Sequence, residues 1–318
     1  MWYVCKVVQC AKQIHLASNY ICTYVPVYKL KLKKAEIVTE EAKVIEEAEV
    51  IEETEVTEEA EVIEEVEVNR QKMEAPDFAP RSLNDWEKAW TSNKAGWHEE
   101  DGNQTLKNNI SKLMSKYFPT KNPKDMTVFV PLCGKTKDMY MFYQMGMTVI
   151  GVEFAPQPIK EFFEENKVTY AKTDKTPYTK SLDERLILGE GDLFSFKVGE
   201  KVEPTEHKLP FSKFDIIWDR GSFEALGPTE KDKYVKYMSE LLAQDGLYLL
   251  STVDYDEREY TGPPFNTNEE GVRLYYGTQF SVEKIETEDM LKSKTKDHWI
   301  AQGLTWMTSS TYVMRNKQ

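Results

Sequence analysis

The sequence predicts an α/β fold in which a mixed, doubly wound sheet is flanked by helices. Residues 127–154 read as strand, glycine turn, helix and second strand, which is the pattern of a βαβ unit. Buried apolar runs and helical segments then alternate along the chain through residue 253. Two late strand-like segments, 279–286 and 303–314, predict a final antiparallel hairpin.

The composition is that of a folded domain with an unusual amino-terminal extension. The 318 residues are 40% hydrophobic and 12% aromatic, which suffices for one large domain or two small ones. The net charge of −13 is unevenly placed, since residues 1–34 carry +6, residues 35–68 carry −14 and the remainder carries −5. Because residues 69–318 have no row of basic residues that could bind the phosphates of a nucleic acid, we expect no nucleic-acid partner.

Residues 1–34 form a leader of unknown role. The segment is apolar and basic like a mitochondrial transit peptide, but it contains lysine where such peptides are rich in arginine. An untargeted extension is the alternative, and with it a cytoplasmic location. No apolar run reaches the length of about 18 residues that a membrane span needs. The four cysteines show no Cys-x-x-Cys spacing, so we expect a reducing compartment, no disulfide framework and no metal site.

Residues 35–75 are interpreted as an acidic linker. Valines recur every six residues from Val44 to Val68, with glutamate-rich spacers between them. Six residues is not a helical period, so the valines would drift around a helix surface. We therefore predict a solvated acidic segment, with a docking tail for an unidentified basic partner as the alternative. The folded domain is expected to occupy residues 76–318.

The βαβ unit carries the first candidate binding residues. Gly134 ends the first apolar run, and a glycine there lets the backbone approach a ligand closely. Glu153 follows 19 residues later near the end of the second strand, where nucleotide-type folds place the acid that binds a ribose. A carboxylate is costly on a buried strand, so the pattern favours a ligand site over an ordinary solvated glutamate.

A tryptophan-rich segment precedes this unit. Trp86 and Trp90 are spaced i, i+4 on one face of a helix for which Asn84 is the predicted cap, and Trp97 and His98 follow. Two interpretations stay open. The indoles pack as core, or they form a lid over a cationic ligand such as a sulfonium, which aromatic faces attract.

The remaining elements follow from apolar periodicity and end signals. Helices are predicted at 104–117, 135–145, 156–166 and 229–244, and strands at 214–220 and 247–253. Another short strand begins at Arg185 and is followed by a turn that contains Asp192. Asn103 is the expected cap of the helix at 104–117.

Taken together, these motifs resemble the thiopurine S-methyltransferase family. VFVPLCGK, VIGVEF, GDLF, FDIIWDRGS and GPPF occur in this order within residues 83–314, downstream of the paired tryptophans. The resemblance implies a seven-stranded class I methyltransferase fold, S-adenosylmethionine as methyl donor, and a small thiol or thioxo-heterocycle as acceptor. The alternatives are a thiol, halide or thiocyanate methyltransferase of the same superfamily and a non-catalytic donor-binding protein. We expect a monomer.

The resemblance also implies a set of site residues. The donor site would comprise Trp86, Trp90, Trp97, Leu132, Gly134, Glu153, Phe154, Asp192, Leu193 and Arg220. Within it, Glu153 would bind the ribose hydroxyls, and Asp192 stands where vertebrate members often have a small uncharged residue. Trp97 and Arg220 would also face the acceptor.

The chemistry of methyl transfer gives these residues their expected roles. A sulfonium donor is intrinsically activated, so the protein mainly supplies proximity and alignment. Arg220 would stabilise an anionic sulfur, and its alternative role is a structural salt bridge with Asp219 or a neighbour. His98 could accept the proton of a less acidic thiol, or it could be structural. Glu283 and Lys284 stand where the family often has a second arginine, which leaves acceptor recognition open.

Overall fold

The computed structural model describes residues 82–92, 95, 97–198, 203 and 206–317. The predicted leader and acidic linker lie outside the described residues. The helices are α1 Leu83–Thr91, α2 Gln104–Tyr117, α3 Lys137–Gln144, α4 Pro156–Glu165, α5 Pro228–Leu241, α6 Glu269–Tyr276 and α7 Lys296–Ala301. The strands are β1 Thr127–Val130, β2 Thr148–Glu153, β3 Tyr170–Lys172, β4 Tyr178–Ser181, β5 Leu186–Glu190, β6 Phe196–Lys197, β7 His207–Lys208, β8 Phe214–Arg220, β9 Leu242–Tyr255, β10 Phe280–Asp289 and β11 Met307–Asn316.

Nine of these strands form one mixed sheet in the order β10-β11-β9-β8-β1-β2-β5-β4-β3. The five central strands, β5, β2, β1, β8 and β9, run parallel. The strand β11 lies antiparallel between β9 and β10, as the late hairpin predicts. The seven strands from β10 to β5 form the expected class I arrangement, and β4 and β3 extend its edge with antiparallel pairs.

The strand order places a ligand crevice at β1. The chain proceeds from β1 to β2 and β5 on one side, and it later returns to β8 and β9 on the other side. In open α/β sheets, ligands bind outside the carboxyl ends of the strands at such a switch point. The loops after β1, β2, β5 and β8 therefore converge on the candidate site.

A hydrophobic core covers each face of the sheet. Because successive strand residues point to opposite faces, Phe129 packs in one core while its neighbour Val128 packs in the other. Helices α5 and α6 contribute Tyr234 and Tyr276 to the Phe129 side. Helices α2, α3 and α4 cover the Val128 side, for example through Phe162. These two layers of helices hold the sheet, and with it the crevice, in place.

Helix ends show where the sequence-based expectations were right and wrong. Asn103 caps α2 as predicted, since its side chain accepts a hydrogen bond from the Leu106 amide at 2.8 Å. Asn84 as the cap of α1 is wrong. The cap is Ser82, whose amide donates to the Asp85 carboxylate at 3.1 Å while its hydroxyl accepts from the Asp85 amide at 3.3 Å. That reciprocal pair satisfies two helix-end groups, which Asn84, the second residue inside the helix, could not do.

None of the described helices is long and apolar enough to cross a membrane. Within the same part of the chain, His, Cys, Asp and Glu side chains form no group of three or more that could hold a metal ion.

Candidate functional site

A cavity of about 520 Å³ opens at the carboxyl edge of the sheet. Its volume lies in the range of small-molecule binding sites. Its lining includes every residue that the sequence analysis proposed: Trp86, Trp90, Trp97, His98, Leu132, Gly134, Glu153, Phe154, Asp192, Leu193 and Arg220. The fold therefore assembles the entire predicted set around one cavity.

The turn after β1 brings the backbone to the cavity wall. Leu132 and Gly134 have φ values of 39° and 50°, so the turn uses left-handed backbone that glycine adopts most readily. A Cβ atom on Gly134 would lie 2.9 Å from Cζ2 of Trp90. The turn therefore needs glycine both for its backbone conformation and for the close approach of the indole.

Glu153 is fixed at the end of β2 by two backbone amides. The Gly134 amide donates to its Oε2 at 2.9 Å, and the Ala155 amide donates to its Oε1 at 2.8 Å. The side chain is 6% exposed, and burial raises its pKa against the opposing effect of these amide donors. Each carboxylate oxygen can accept more than one hydrogen bond, so capacity remains for two ligand hydroxyls.

Three indoles line the cavity. The rings of Trp86 and Trp97 meet edge to face at 5.1 Å, and those of Trp90 and Trp97 at 5.6 Å. The side-chain amide of Gln157 on α4 donates to the Trp90 carbonyl at 3.4 Å, which ties α1 to the domain. The two interpretations of this segment are therefore compatible, since the indoles pack on one another and also line the cavity.

Arg220, the last residue of β8, holds the segment that follows α1. Its guanidinium donates to the Trp97 carbonyl at 3.1 Å and to Oε1 of Glu99 at 2.7 Å. Asp219 is not its partner, because that buried carboxylate accepts hydrogen bonds from the hydroxyls of Tyr234 and Tyr248 at 2.7 and 2.6 Å. The salt bridge considered for Arg220 exists, but it is formed with Glu99.

His98 and Asp192 are two ionisable residues of the cavity lining. Burial and the positive charges of Lys135 and Arg220 lower the pKa of His98, which favours its neutral imidazole. Asp192 is exposed, and its Oδ1 caps the turn after β5 by accepting from the Phe194 amide at 3.0 Å.

The sequence analysis missed several residues that line the same cavity, namely Trp218, Glu224, Ser251, Val253, Glu288, Trp299 and Ser309. Glu224 could have been found, because it is a lone carboxylate in an apolar segment, as Glu153 is. Glu288 could not, because only the folded sheet brings it to the cavity. Glu283 and Lys284, which were noted as departures, instead form ion pairs with Lys116 and Glu269 away from the cavity lining.

Residues 81–317 match the model of the family described as Thiopurine S-methyltransferase (TPMT). The chain belongs to this family. It is 30% identical over 240 residues to "Probable thiopurine S-methyltransferase" of Danio rerio, a match that covers 74% of this chain and 95% of that relative. It is also 30% identical over 238 residues to "Thiopurine S-methyltransferase" of Rattus norvegicus, with coverage of 74% and 92%.

Membership of the TPMT family confirms the expected fold class, the methyltransferase activity and S-adenosylmethionine as donor. The alternatives of a thiol, halide or thiocyanate methyltransferase of the same superfamily and of a non-catalytic donor-binding protein are not favoured. The residues present fit the donor. The close backbone turn at Gly134 suits the amino-acid part of the donor. The spare lone pairs of Glu153 suit its ribose, and the three indoles suit its sulfonium.

The buried carboxyl of Glu224 gives a testable pH dependence of stability. Burial raises the pKa of Glu224 from 4.5 to about 8. Between these values the folded state keeps a proton that the unfolded state has lost, so stability falls as the pH rises from about 5 to 8. Glu224→Gln keeps an acceptor for the Val253 amide but has no proton to lose. We expect the Tm of the variant to rise relative to wild type across this window, as measured by calorimetry.

Each tenfold change in the proton affinity of Glu224 on folding changes the free energy of unfolding by about 1.4 kcal/mol. For a domain of this size, that free energy shifts the Tm by roughly 3–5 °C. Glu283→Gln is the matched control, because Glu283 is exposed and paired with Lys116 on the surface. Parallel Tm curves for wild type and Glu224→Gln would show that the carboxyl at 224 titrates normally.

Proposed function

We propose that this member of the family transfers a methyl group from S-adenosylmethionine to the sulfur of a small thiol or thioxo-heterocycle. The observation that carries the proposal is that Gly134 and Glu153, suited to the donor, share one cavity with Trp97, His98 and Arg220. The names of the Danio rerio and Rattus norvegicus relatives, both thiopurine S-methyltransferases, support it. The cytoplasmic location, the monomeric state and a role in small-molecule metabolism belong to the same proposal.

Each part of the cavity has a role in this proposal. Glu153 holds the ribose, while Leu132 and Gly134 form the wall behind the donor. Phe154, Asp192 and Leu193 border the adenine, and Trp86 and Trp90 cover the donor from the solvent side. In all of these contacts the chain supplies binding and orientation rather than reactive groups.

On the acceptor side, Arg220 and His98 act on the charge and the proton of the acceptor sulfur. The donor provides a methyl group that is already activated by its sulfonium charge. Arg220, at the end of β8, stabilises a negatively charged sulfur with guanidinium donors beyond those that bind Trp97 and Glu99. A free alkyl thiol has a pKa of about 8.5, so part of it is protonated at neutral pH. The neutral imidazole of His98 accepts that proton.

A pair of matched acceptors tests the proposed function. We expect the protein to transfer label from methyl-labelled S-adenosylmethionine to 6-mercaptopurine and to thiophenol, since both acceptors present an easily ionised sulfur. Hypoxanthine carries oxygen where 6-mercaptopurine carries sulfur, and it should remain unlabelled. Label on oxygen or nitrogen, or no transfer to any sulfur acceptor, would overturn the proposal.

A further inference from the structure

A buried carboxylate that the proposed reaction does not use lies behind the cavity wall. Asp138, the second residue of α3, is 1% exposed and is not itself part of the cavity lining. Its Oδ1 accepts a hydrogen bond from the Asn103 amide at 2.8 Å. Its Oδ2 accepts from Nε1 of Trp218 at 2.9 Å and from the Thr136 hydroxyl at 3.0 Å. All three donor residues line the cavity, so this carboxylate joins three parts of its wall.

These three parts come from separate stretches of the chain. Thr136 belongs to the turn after β1, Trp218 belongs to β8, and Asn103 ends the segment that follows α1. Burying a carboxylate is costly unless its oxygens accept hydrogen bonds, and hydrogen bonds to a charged group are stronger than neutral ones. The contacts of Asp138 are therefore strong and directional, unlike the general apolar packing around them.

The segment 97–103 is held at both ends by β8. Arg220 on this strand fixes the start of the segment through the two hydrogen bonds described above. Trp218 fixes its end through Asp138 and the Asn103 amide. Trp218 and Arg220 are two residues apart on β8, so their side chains point to the same face of the sheet. The cavity-lining residues between the two fixed points therefore have a defined position relative to Arg220.

The backbone just before Asn103 lies directly against the carboxylate. Gly102 has a φ of 72°, in the left-handed region that glycine adopts most readily. A Cβ atom on Gly102 would lie 2.6 Å from Oδ1 of Asp138, which is closer than real Cβ atoms approach a neighbour. The segment thus reaches the carboxylate only because glycine occupies this position.

We propose that Asp138 is a positioning residue for methyl transfer, which fixes the end of the segment 97–103 so that Trp97 and His98 keep their place beside Arg220. This inference rests on the proposed sulfur methylation. Asp138 does not line the cavity, so it acts only through the residues that it binds. A displacement of about 1 Å at the reacting groups can lower a rate about a hundredfold, so the position of this segment matters most for turnover.

Asp138→Asn tests the proposal by separating turnover from donor binding. An amide has one accepting oxygen and a donating NH₂ group, so either the Asn103 amide or the Trp218 indole would face a second donor. We expect kcat with 6-mercaptopurine to fall about ten- to a hundredfold. The Kd of the donor should change much less, because Glu153 and the Gly134 turn remain in place. Steady-state kinetics and titration calorimetry measure the two effects.

Asp215→Asn is the matched control. Asp215 lies at the other end of β8, where its carboxylate accepts from the Thr127 amide at 2.9 Å, and it does not line the cavity. This variant should lose stability without losing turnover. A wild-type kcat in folded Asp138→Asn protein would show that Asp138 serves stability alone, and a loss of donor affinity as large as the loss of kcat would make it a donor-site residue. Either result would overturn the proposal.

A second variant leaves the carboxylate itself intact, in case Asp138→Asn does not fold. Gly102→Ala places a Cβ atom against Oδ1 of Asp138, so the segment must move away while the Trp218 bond to Oδ2 remains. We expect the same loss of kcat with little change in donor Kd. Gly146→Ala is its control, because Gly146 also has a positive φ, 98°, but a Cβ atom there meets only Lys124 at ordinary distances, and Gly146 does not line the cavity. Equal effects of the two alanine variants would overturn the proposal, because backbone strain alone would then explain them.

A double-mutant cycle with Arg220→Met tests whether the two ends of the segment act together. Once Arg220 no longer fixes the start, fixing the end should contribute little, so Asp138→Asn should lower kcat much less in the Arg220→Met protein than in wild type. The same fold loss in both proteins would show that Asp138 acts independently of Arg220, which contradicts the proposal.

The outcomes separate the inference from the function on which it rests. Transfer by wild type to no sulfur acceptor would overturn both. Normal transfer by wild type and by the Asp138 and Gly102 variants would overturn the inference and leave sulfur methylation intact.

Discussion

Replacing Glu153 with glutamine is expected to weaken the binding of S-adenosylmethionine about ten- to a hundredfold. The carboxylate offers two oxygens that can accept both hydroxyls of a ribose, while an amide offers one oxygen and an NH₂ group that donates. Hydrogen bonds to charged groups contribute about 1.5–3 kcal/mol each, which corresponds to this range of affinity. The Glu153→Gln variant would also lose one of the bonds from the Gly134 and Ala155 amides, which loosens the turn that faces the donor. Titration calorimetry with the donor measures the effect.

Glu190→Gln is the matched control. Glu190 ends β5 directly beside Glu153, but its carboxylate pairs with Lys172 at 2.5 Å and does not line the cavity. This variant should bind the donor like wild type. Wild-type affinity in a folded Glu153→Gln protein would show that the ribose is held elsewhere.

The donor side of the cavity was predictable because its main residues lie close together in the sequence. Leu132, Gly134, Glu153 and Phe154 all belong to one βαβ unit, whose apolar runs and glycine turn fix the local geometry. A spacing argument suffices when a short stretch of chain determines which atoms meet.

The wall of the cavity formed by the last strands was less predictable because it depends on the register of distant strands. Glu288, Ser309 and Val253 meet only because β10 and β11 pair in one particular register. A shift of one residue would turn Glu288 to the other face of the sheet. No local pattern in the sequence distinguishes these two outcomes, so the place of Glu288 in the cavity lining appeared only in the structure.

The partner of Arg220 illustrates the same limit. Asp219 is its neighbour in sequence and looks like the natural ion-pair partner. Successive residues on a strand point to opposite faces, so Asp219 enters the core beside Tyr234 and Tyr248 while Arg220 faces the cavity. The actual partner is Glu99, which is 121 residues away in the sequence.

The edge strands were missed for a different reason. β3 and β4 contain three and four residues and expose charged side chains, so they lack an apolar run that would identify them. β9 was predicted to begin at Leu247 because Asp245 and Gly246 are typical of a loop. The strand instead begins at Leu242, and an irregularity in its pairing with β8 accommodates the extra residues.

Replacing Arg220 with methionine is expected to lower kcat/KM for a thiol acceptor by about a hundred- to a thousandfold, the range observed when a donor that stabilises developing charge is removed. Donor affinity should change much less, because Glu153 and the Gly134 turn remain in place. Single-turnover rates and donor titrations separate the two effects. A parallel loss of donor affinity would make Arg220 a donor-binding residue only.

Two controls distinguish this electrostatic role from simple loss of structure. Arg258→Met removes an exposed arginine that is paired with Asp256 at 2.5 Å, so it should leave turnover unchanged. Glu99→Ala removes both the charge that neutralises Arg220 and the oxygen that its guanidinium binds. If Arg220 acts on the acceptor sulfur, Glu99→Ala retains turnover, because the cation is then more available to an anionic sulfur. If Arg220 only anchors the Trp97–Glu99 segment, both variants lose activity together.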